Sequence, residues 1–186
     1  MRYSKVAIAI AVAAVSTSAL AEPTNQADEI IKIIGSKEDA KTVAGSGSVI
    51  APEQLEVEVQ TDFNQLMKTV PGVYVREEDG EGLRPNIGIR AASGERSSKV
   101  TLLVDGVMIA PAPYSNPAAY YFPEAYRMHA VEVLKGAPLL RYGPQTTGGV
   151  VNLITTPIPQ DRQGQVTLRM GENNSRDIHA YYGGTE

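Results

Sequence analysis

Val100-Thr101-Leu102-Leu103-Val104-Asp105-Gly106, Val131-Glu132-Val133-Leu134 and Val150-Val151-Asn152-Leu153-Ile154 set the fold class. Each is a short run rich in β-branched and aliphatic residues, and the first ends in Asp-Gly, a strong turn signal. Runs of this kind read as short strands. Shorter ones flank them: Val73-Tyr74-Val75, and Asn86–Arg90 with Ile87 and Ile89 on one side. Upstream, Phe63, Leu66, Met67 and Val70 fall at helical spacing behind Thr61 as a cap, and Pro71-Gly72 stops the helix, which is expected over 62–70. Pro123–Met128 and Pro138–Tyr142 each open with a Pro suited to an early helical position. The reading is an α+β domain over residues 40–157, with a small mixed sheet, short helices and long Pro-rich loops. Gly148-Gly149 needs no ligand to explain it, because Gly lets strands approach closely.

The two ends of the chain differ from this centre. Residues 1–21 carry Arg2 and Lys5, an apolar stretch Val6–Val15 and the small-residue site Ala19-Leu20-Ala21, and read as a secretory signal peptide. Residues 22–39 read as a flexible N-terminus interrupted by Glu29-Ile30-Ile31-Lys32-Ile33-Ile34-Gly35, whose β-branched residues predict an extended segment. That segment is either a first strand of the domain's own sheet or one that adds to another protein's sheet edge. Gly45-Ser46-Gly47-Ser48 reads as a flexible break. Past residue 157, Gln165–Met170 and Asp177–Tyr182 alternate strictly, with Val166, Leu168, Met170, Ile178, Ala180 and Tyr182 on one side. Two alternating strands around a polar turn predict a hairpin, and β-barrel membrane strands give the same signal.

Composition narrows the chemistry. The chain has 186 residues, no Cys, no Trp and two His. That excludes a disulfide scaffold, a Cys-based zinc site and a thiol nucleophile, and leaves little for a His-rich metal centre. A net charge of −4 argues against nucleic acid as a partner. No phosphate-cradling Gly loop, no His pair on a helix and no Gly-x-Ser-x-Gly elbow occurs, so no catalytic residue is assigned and an enzyme is not expected. Glu77-Glu78-Asp79-Gly80-Glu81 lacks the Asp spacing of a calcium loop and reads as a solvated turn.

Several blocks are more specific. Leu83-Arg84-Pro85-Asn86-Ile87-Gly88-Ile89-Arg90, Val104-Asp105-Gly106-Val107, Val131–Gly136, Arg141-Tyr142-Gly143-Pro144-Gln145 and Thr147–Asn152 resemble, in order, the plug domain of TonB-dependent outer-membrane receptors. The resemblance covers residues 71–155, and within the family Ala110–Tyr114 and Arg141–Gln145 are most similar to the ferric-citrate or siderophore receptor type. It implies a fold of a plug domain (40–157) followed by the first two antiparallel strands of a transmembrane β-barrel (158–186). One departure is Arg90-Ala91, where the family has Arg-Gly. A barrel of about 22 strands needs several hundred more residues, so the chain is expected to be a fragment or a truncated product.

The resemblance also implies partners and site residues. Asp28–Gly35 lies where the family carries its TonB box, so Asp28, Glu29, Ile30, Ile31, Lys32, Ile33 and Ile34 are candidates for pairing with TonB, the energised inner-membrane protein. Arg84, Arg90, Arg96 and Lys99 oppose only Glu95 between residues 84 and 99, a local net of +3, which suits an anionic ferric chelate. Arg96 in this basic cluster, Pro113 and Tyr114 in the Tyr-bearing loop, and Gln145 on the resemblance alone are ligand candidates, with pairing to barrel carboxylates the alternative for Arg96; Arg90, Lys135 and Arg141 are candidates for plug–barrel contacts. Packing against the barrel is the alternative for the Tyr-bearing loop at 111–121. Iron arrives already chelated, so no cofactor or protein metal ligand is implied. The expected place is the outer membrane of a Gram-negative bacterium, with barrel strands facing lipid. A free-standing secreted periplasmic binding module is the rival reading.

Overall fold

A computed structural model describes residues 32–43, 45–58, 63–78, 86–92, 95–110, 122–136, 142, 147–174 and 176–185. The strands are β1 (Ser46–Ile50), β2 (Val73–Val75), β3 (Ile87–Ile89), β4 (Val100–Val104), β5 (Val107–Ala110), β6 (Met128–Lys135), β7 (Gly149–Thr155), β8 (Gln163–Met170) and β9 (Arg176–Gly183). Two helices, α1 (Pro52–Glu58) and α2 (Phe63–Lys68), lie between β1 and β2. The main sheet has the order β1-β6-β7-β4-β5. Its β4–β7 pair is parallel and its other pairs are antiparallel, so the sheet is mixed as expected.

The three apolar runs become its central strands. Every residue from Val100 to Leu103 and from Gly149 to Ile154 is buried. The reason is coverage of both faces, which removes the need for a polar side. On one face Val131, Val133, Val151, Leu153, Val100 and Leu102 pack with Ile87, Ile89 and the helical stripe Phe63, Leu66, Met67 and Val70. Phe63 and Phe122 lie ring on tilted ring, with centroids 4.2 Å apart. On the other face Leu103, Leu134 and Val150 form a smaller cluster around Ile34. A methyl group on Gly149 would sit 2.9 Å from the Leu134 carbonyl oxygen, so close strand approach explains that glycine.

Three expectations need correction. Ser46–Gly47–Ser48 is not a flexible break but part of edge strand β1, paired with β6 from Ser46↔Lys135 to Ile50↔Val131. Its small side chains carry no pattern because main-chain bonds to β6 hold it. The segment predicted as extended over 29–35 forms no strand over its described part, Lys32–Gly35. The N-terminus expected to be flexible to residue 39 is instead docked on the sheet at Ile34, which is 7% exposed. The helix predicted over 62–70 runs from Phe63 to Lys68, then tightens through the Thr69 N–H on the Leu66 carbonyl. The Thr61 cap and most of Pro138–Tyr142 lie outside the described residues.

The Arg90-Ala91 departure has a conformational consequence. Arg90 and Ala91 both take left-handed backbone, with φ of 50° and 63°. The turn therefore keeps the shape that Gly adopts without strain, but with a Cβ at each position. Ala91→Gly is expected to stabilise the domain by about 1 kcal/mol, read as a shift in the urea midpoint at unchanged slope. A loss of stability would show that unfolded-chain entropy outweighs the relieved strain.

Strands β8 and β9 form a separate hairpin in register from Gln163↔Gly183 to Met170↔Arg176. Val166, Leu168, Met170, Ile178 and Tyr182 on its outer side are 68–86% exposed, a level that no packed core would leave. The opposite side turns Gln165, Thr167, Arg169 and His179 toward the rest of the domain. No helix among the described residues is long and apolar enough to cross a membrane, which says nothing of strands.

Candidate functional site

Glu132 stands in the middle of β6, between Val49 of β1 and Asn152 of β7, and is 2% exposed. A carboxylate there requires several donors. The Ile33 N–H donates to its Oε2 at 2.8 Å, and the Ile34 and Gly35 N–H groups donate to Oε1 at 2.9 and 2.7 Å. The Asn152 side-chain amide adds a fourth bond to Oε2 at 2.9 Å. Gly35, at φ 91°, bends the chain so that three consecutive N–H groups converge. Thus the N–H groups that would have joined a strand ladder go to one carboxylate. Of the TonB-box candidates, Lys32, Ile33 and Ile34 belong to this segment; Asp28, Glu29, Ile30 and Ile31 lie outside the described residues.

Arg90 and Lys135, both candidates for barrel contact, are brought together at the end of β6. The Lys135 amine donates to the Ser48 hydroxyl at 3.1 Å and the Pro71 carbonyl at 2.8 Å. Neither cation forms a salt bridge with a carboxylate among the described residues. Burial pushes the Lys135 amine below its ordinary value, and the nearby Arg90 charge pushes it the same way. The unfolded chain then binds more protons than the native one as pH rises through the lowered value toward 10.5. Native stability should therefore increase over that window. Lys135→Met should remove that part of the slope, which urea unfolding of both chains at several pH values would read. Arg141 lies outside the described residues.

Arg96 of the basic cluster has an acidic neighbour. Its guanidinium lies 3.1 Å from the Glu78 carboxylate, an ion pair that offsets the local positive balance. Its backbone N–H donates to the Asn86 side-chain oxygen at 2.7 Å. The described part of the acidic run is accordingly paired. Glu77 accepts from Lys68 and from Gln65, and the Lys68 ammonium holds its carboxyl below the usual range. Pro113, Tyr114 and Gln145 lie outside the described residues.

The seam between the main domain and the hairpin is not legible in the sequence. Tyr126 stacks on His179 with centroids 5.5 Å apart, and the Arg169 guanidinium sits 4.4 Å over the same Tyr126 ring. Cation–π contact and ring stacking hold the polar face of the hairpin to the domain. The alternation of the hairpin places Arg169 and His179 on its inner face. Nothing local marks Tyr126 as their partner.

Comparison with known proteins gives a consistent picture. The sequence profile of the TonB-dependent receptor plug domain matches residues 39–150. The vitamin B12 transporter BtuB of Vibrio vulnificus (strain YJ016) is 29% identical over 176 residues, spanning 94% of this chain and 28% of BtuB. The unliganded ferric citrate transporter FecA superposes with a TM-score of 0.68 and 31% identity over 86% of this chain and 25% of FecA. The siderophore receptor PirA of Acinetobacter baumannii gives 0.54 and 26%, over 81% of this chain and 23% of PirA. The chain thus spans about a quarter of the length of these relatives.

Proposed function

The chain belongs to the TonB-dependent receptor plug domain family, and from that premise we propose that it forms the plug and first two barrel strands of an outer-membrane receptor importing a ferric chelate into the periplasm. The observation that carries this reading is the hairpin beside the plug. One face is apolar and exposed, fit for lipid, and the other is polar and turned to the plug. A lipid-facing wall around a plugged lumen has this alternation. The same face weighs against the rival reading of a free periplasmic module, which would carry it into water.

In this mechanism the plug closes the barrel, and the chelate binds at its outer loops through Arg96, Pro113, Tyr114 and Gln145, with the Arg96 charge shared with Glu78. Arg90, Lys135 and Arg141 face acidic groups of the barrel. Such a carboxylate beside Lys135 would counter the effect of burial and of Arg90 on its amine. TonB pairs with Asp28–Ile34 by main-chain hydrogen bonds and draws on inner-membrane energy to move the plug. Ligand must favour one arrangement of the N-terminal segment over the other, or nothing is signalled. A ferric chelate is favoured over vitamin B12 by the likeness to the ferric citrate transporter and the siderophore receptor.

Ile31→Pro is the direct test. Proline removes a donor and fixes φ, so strand pairing with TonB should fail. Cells carrying the complete receptor with Ile31→Pro should lose uptake of iron-labelled ferric citrate or siderophore while keeping surface binding. Retained uptake would remove the TonB-box assignment. Uptake of cobalamin but of no ferric chelate would replace the substrate class.

A further inference from the structure

We propose that Glu132 is a releasable clasp, which holds residues 33–35 on the plug and sets how far into the chain the N-terminal partner can draw strand-forming backbone. The proposal rests on the TonB reading above and concerns the regulation of that same segment.

A carboxylate has about four good acceptor sites. Here four donors fill them, three from consecutive backbone amides and one from Asn152. Recognition is therefore of main-chain shape: it requires the left-handed turn at Gly35, and Ile34 adds its side chain to the cluster of Leu103, Leu134 and Val150. The clasp binds the amides of Ile33, Ile34 and Gly35, the first two of which belong to the segment offered for strand pairing. These amides cannot serve the carboxylate and a neighbouring strand together. The two uses are mutually exclusive, so each must weaken the other.

The clasp also favours its own closure. When residues 33–35 leave, a buried carboxylate keeps only the Asn152 amide of its four donors, a state that burial disfavours. Sheet bonding is untouched by that departure, because β6 pairs with β1 and β7 through its own backbone. The segment can leave and return while the plug stays folded.

The test is amide hydrogen exchange on the complete receptor purified in detergent, with Glu132→Gln and Gly35→Val compared with the parent. Glu132→Gln puts an amide donor against backbone donors. Gly35→Val forbids the turn and leaves the buried side chains of β6 and β7 alone, so it serves if Glu132→Gln fails to fold. Exchange at Ile33, Ile34 and Gly35 should rise at least about tenfold, with Val131–Lys135 and Val150–Ile154 still protected. Affinity for the purified C-terminal domain of TonB should rise several-fold in the same variants. Unchanged exchange at residues 33–35 would overturn the proposal. So would exchange rising equally through β6 and β7, which would make Glu132 a structural residue only. Unchanged TonB affinity despite faster exchange would overturn the regulatory half. If TonB binds neither parent nor variants, the functional reading fails, and the exchange data still decide whether the clasp exists.

Discussion

Leu153→Ala should destabilise the plug by about 2–5 kcal/mol. Leu153 lies in β7, the strand flanked by β6 and β4, opposite Val131 on one side and Val104 on the other. It is fully buried in the larger of the two apolar clusters. Removing its isobutyl group loses the transfer free energy of those atoms and leaves a hole that sheet neighbours can only partly fill. Both flanking strands are fixed by continuous hydrogen bonding, so collapse around the hole is limited. A domain of this size has about 5–15 kcal/mol to lose, so the variant should be visibly less cooperative or partly unfolded at 37 °C. Urea unfolding in mild detergent, followed by far-UV circular dichroism, reads the effect; detergent shields the apolar hairpin face. A loss below about 1 kcal/mol would mean that Leu153 is not held in a close-packed interior.

The legible parts of the fold were those written in hydrophobic pattern. Val100–Val104, Val131–Leu134 and Val150–Ile154 are unbroken runs because both sheet faces are covered, and they became the sheet centre. The alternation in Gln165–Met170 and Asp177–Tyr182 survives because one side meets the plug and the other does not. Edge strand β1 was not legible: Ser46, Gly47 and Ser48 say nothing through their side chains, and their pairing is a property of β6. Helix α1 was missed as well, since Pro52–Glu58 is a single short helix leaning on its neighbours.

Site residues were harder for a related reason. Propensity predicts what a backbone prefers, not which acceptor its N–H groups find. The β-branched run ending at Ile34 reads as a strand, yet Ile33, Ile34 and Gly35 donate to a side chain 97–99 residues away in sequence. The clue was present in Glu132, an acid in the middle of an apolar strand, which demands donors from somewhere. The ion pair of Arg96 was hidden likewise, because its partner Glu78 belongs to a run that reads as a solvated turn. The contact of Tyr126 with Arg169 and His179 depends on how the hairpin folds back over the plug, which no local pattern encodes.

Asn152→Leu should have a comparable effect through hydrogen bonding rather than volume. The Asn152 amide is fully buried and spans two structures at once. Its Nδ2 donates to Glu132, and its Oδ1 accepts the Gly106 N–H of the β4–β5 turn at 2.9 Å. Leucine matches asparagine closely in shape and supplies neither bond. The Gly106 N–H is then left without that acceptor, at about 1–3 kcal/mol, and the Glu132 carboxylate loses a donor to a charged group, worth about 1.5–3 kcal/mol. Together these predict a loss of about 2.5–6 kcal/mol, which brackets the range for a buried charge stripped of a partner. Asp105 should limit the damage to the turn, because its carboxylate independently accepts the Thr155 N–H at 2.9 Å and the Thr155 hydroxyl at 2.7 Å. The added apolar area of leucine opposes the loss only if the Glu132 charge is removed with it. The double variant Glu132→Leu/Asn152→Leu should therefore recover part of the stability in urea unfolding, while the single variant does not. The double variant also gives up the acceptor of the Ile33, Ile34 and Gly35 N–H groups, so recovery of nothing would show that those bonds, or the one to Gly106, outweigh the relief of the stripped charge.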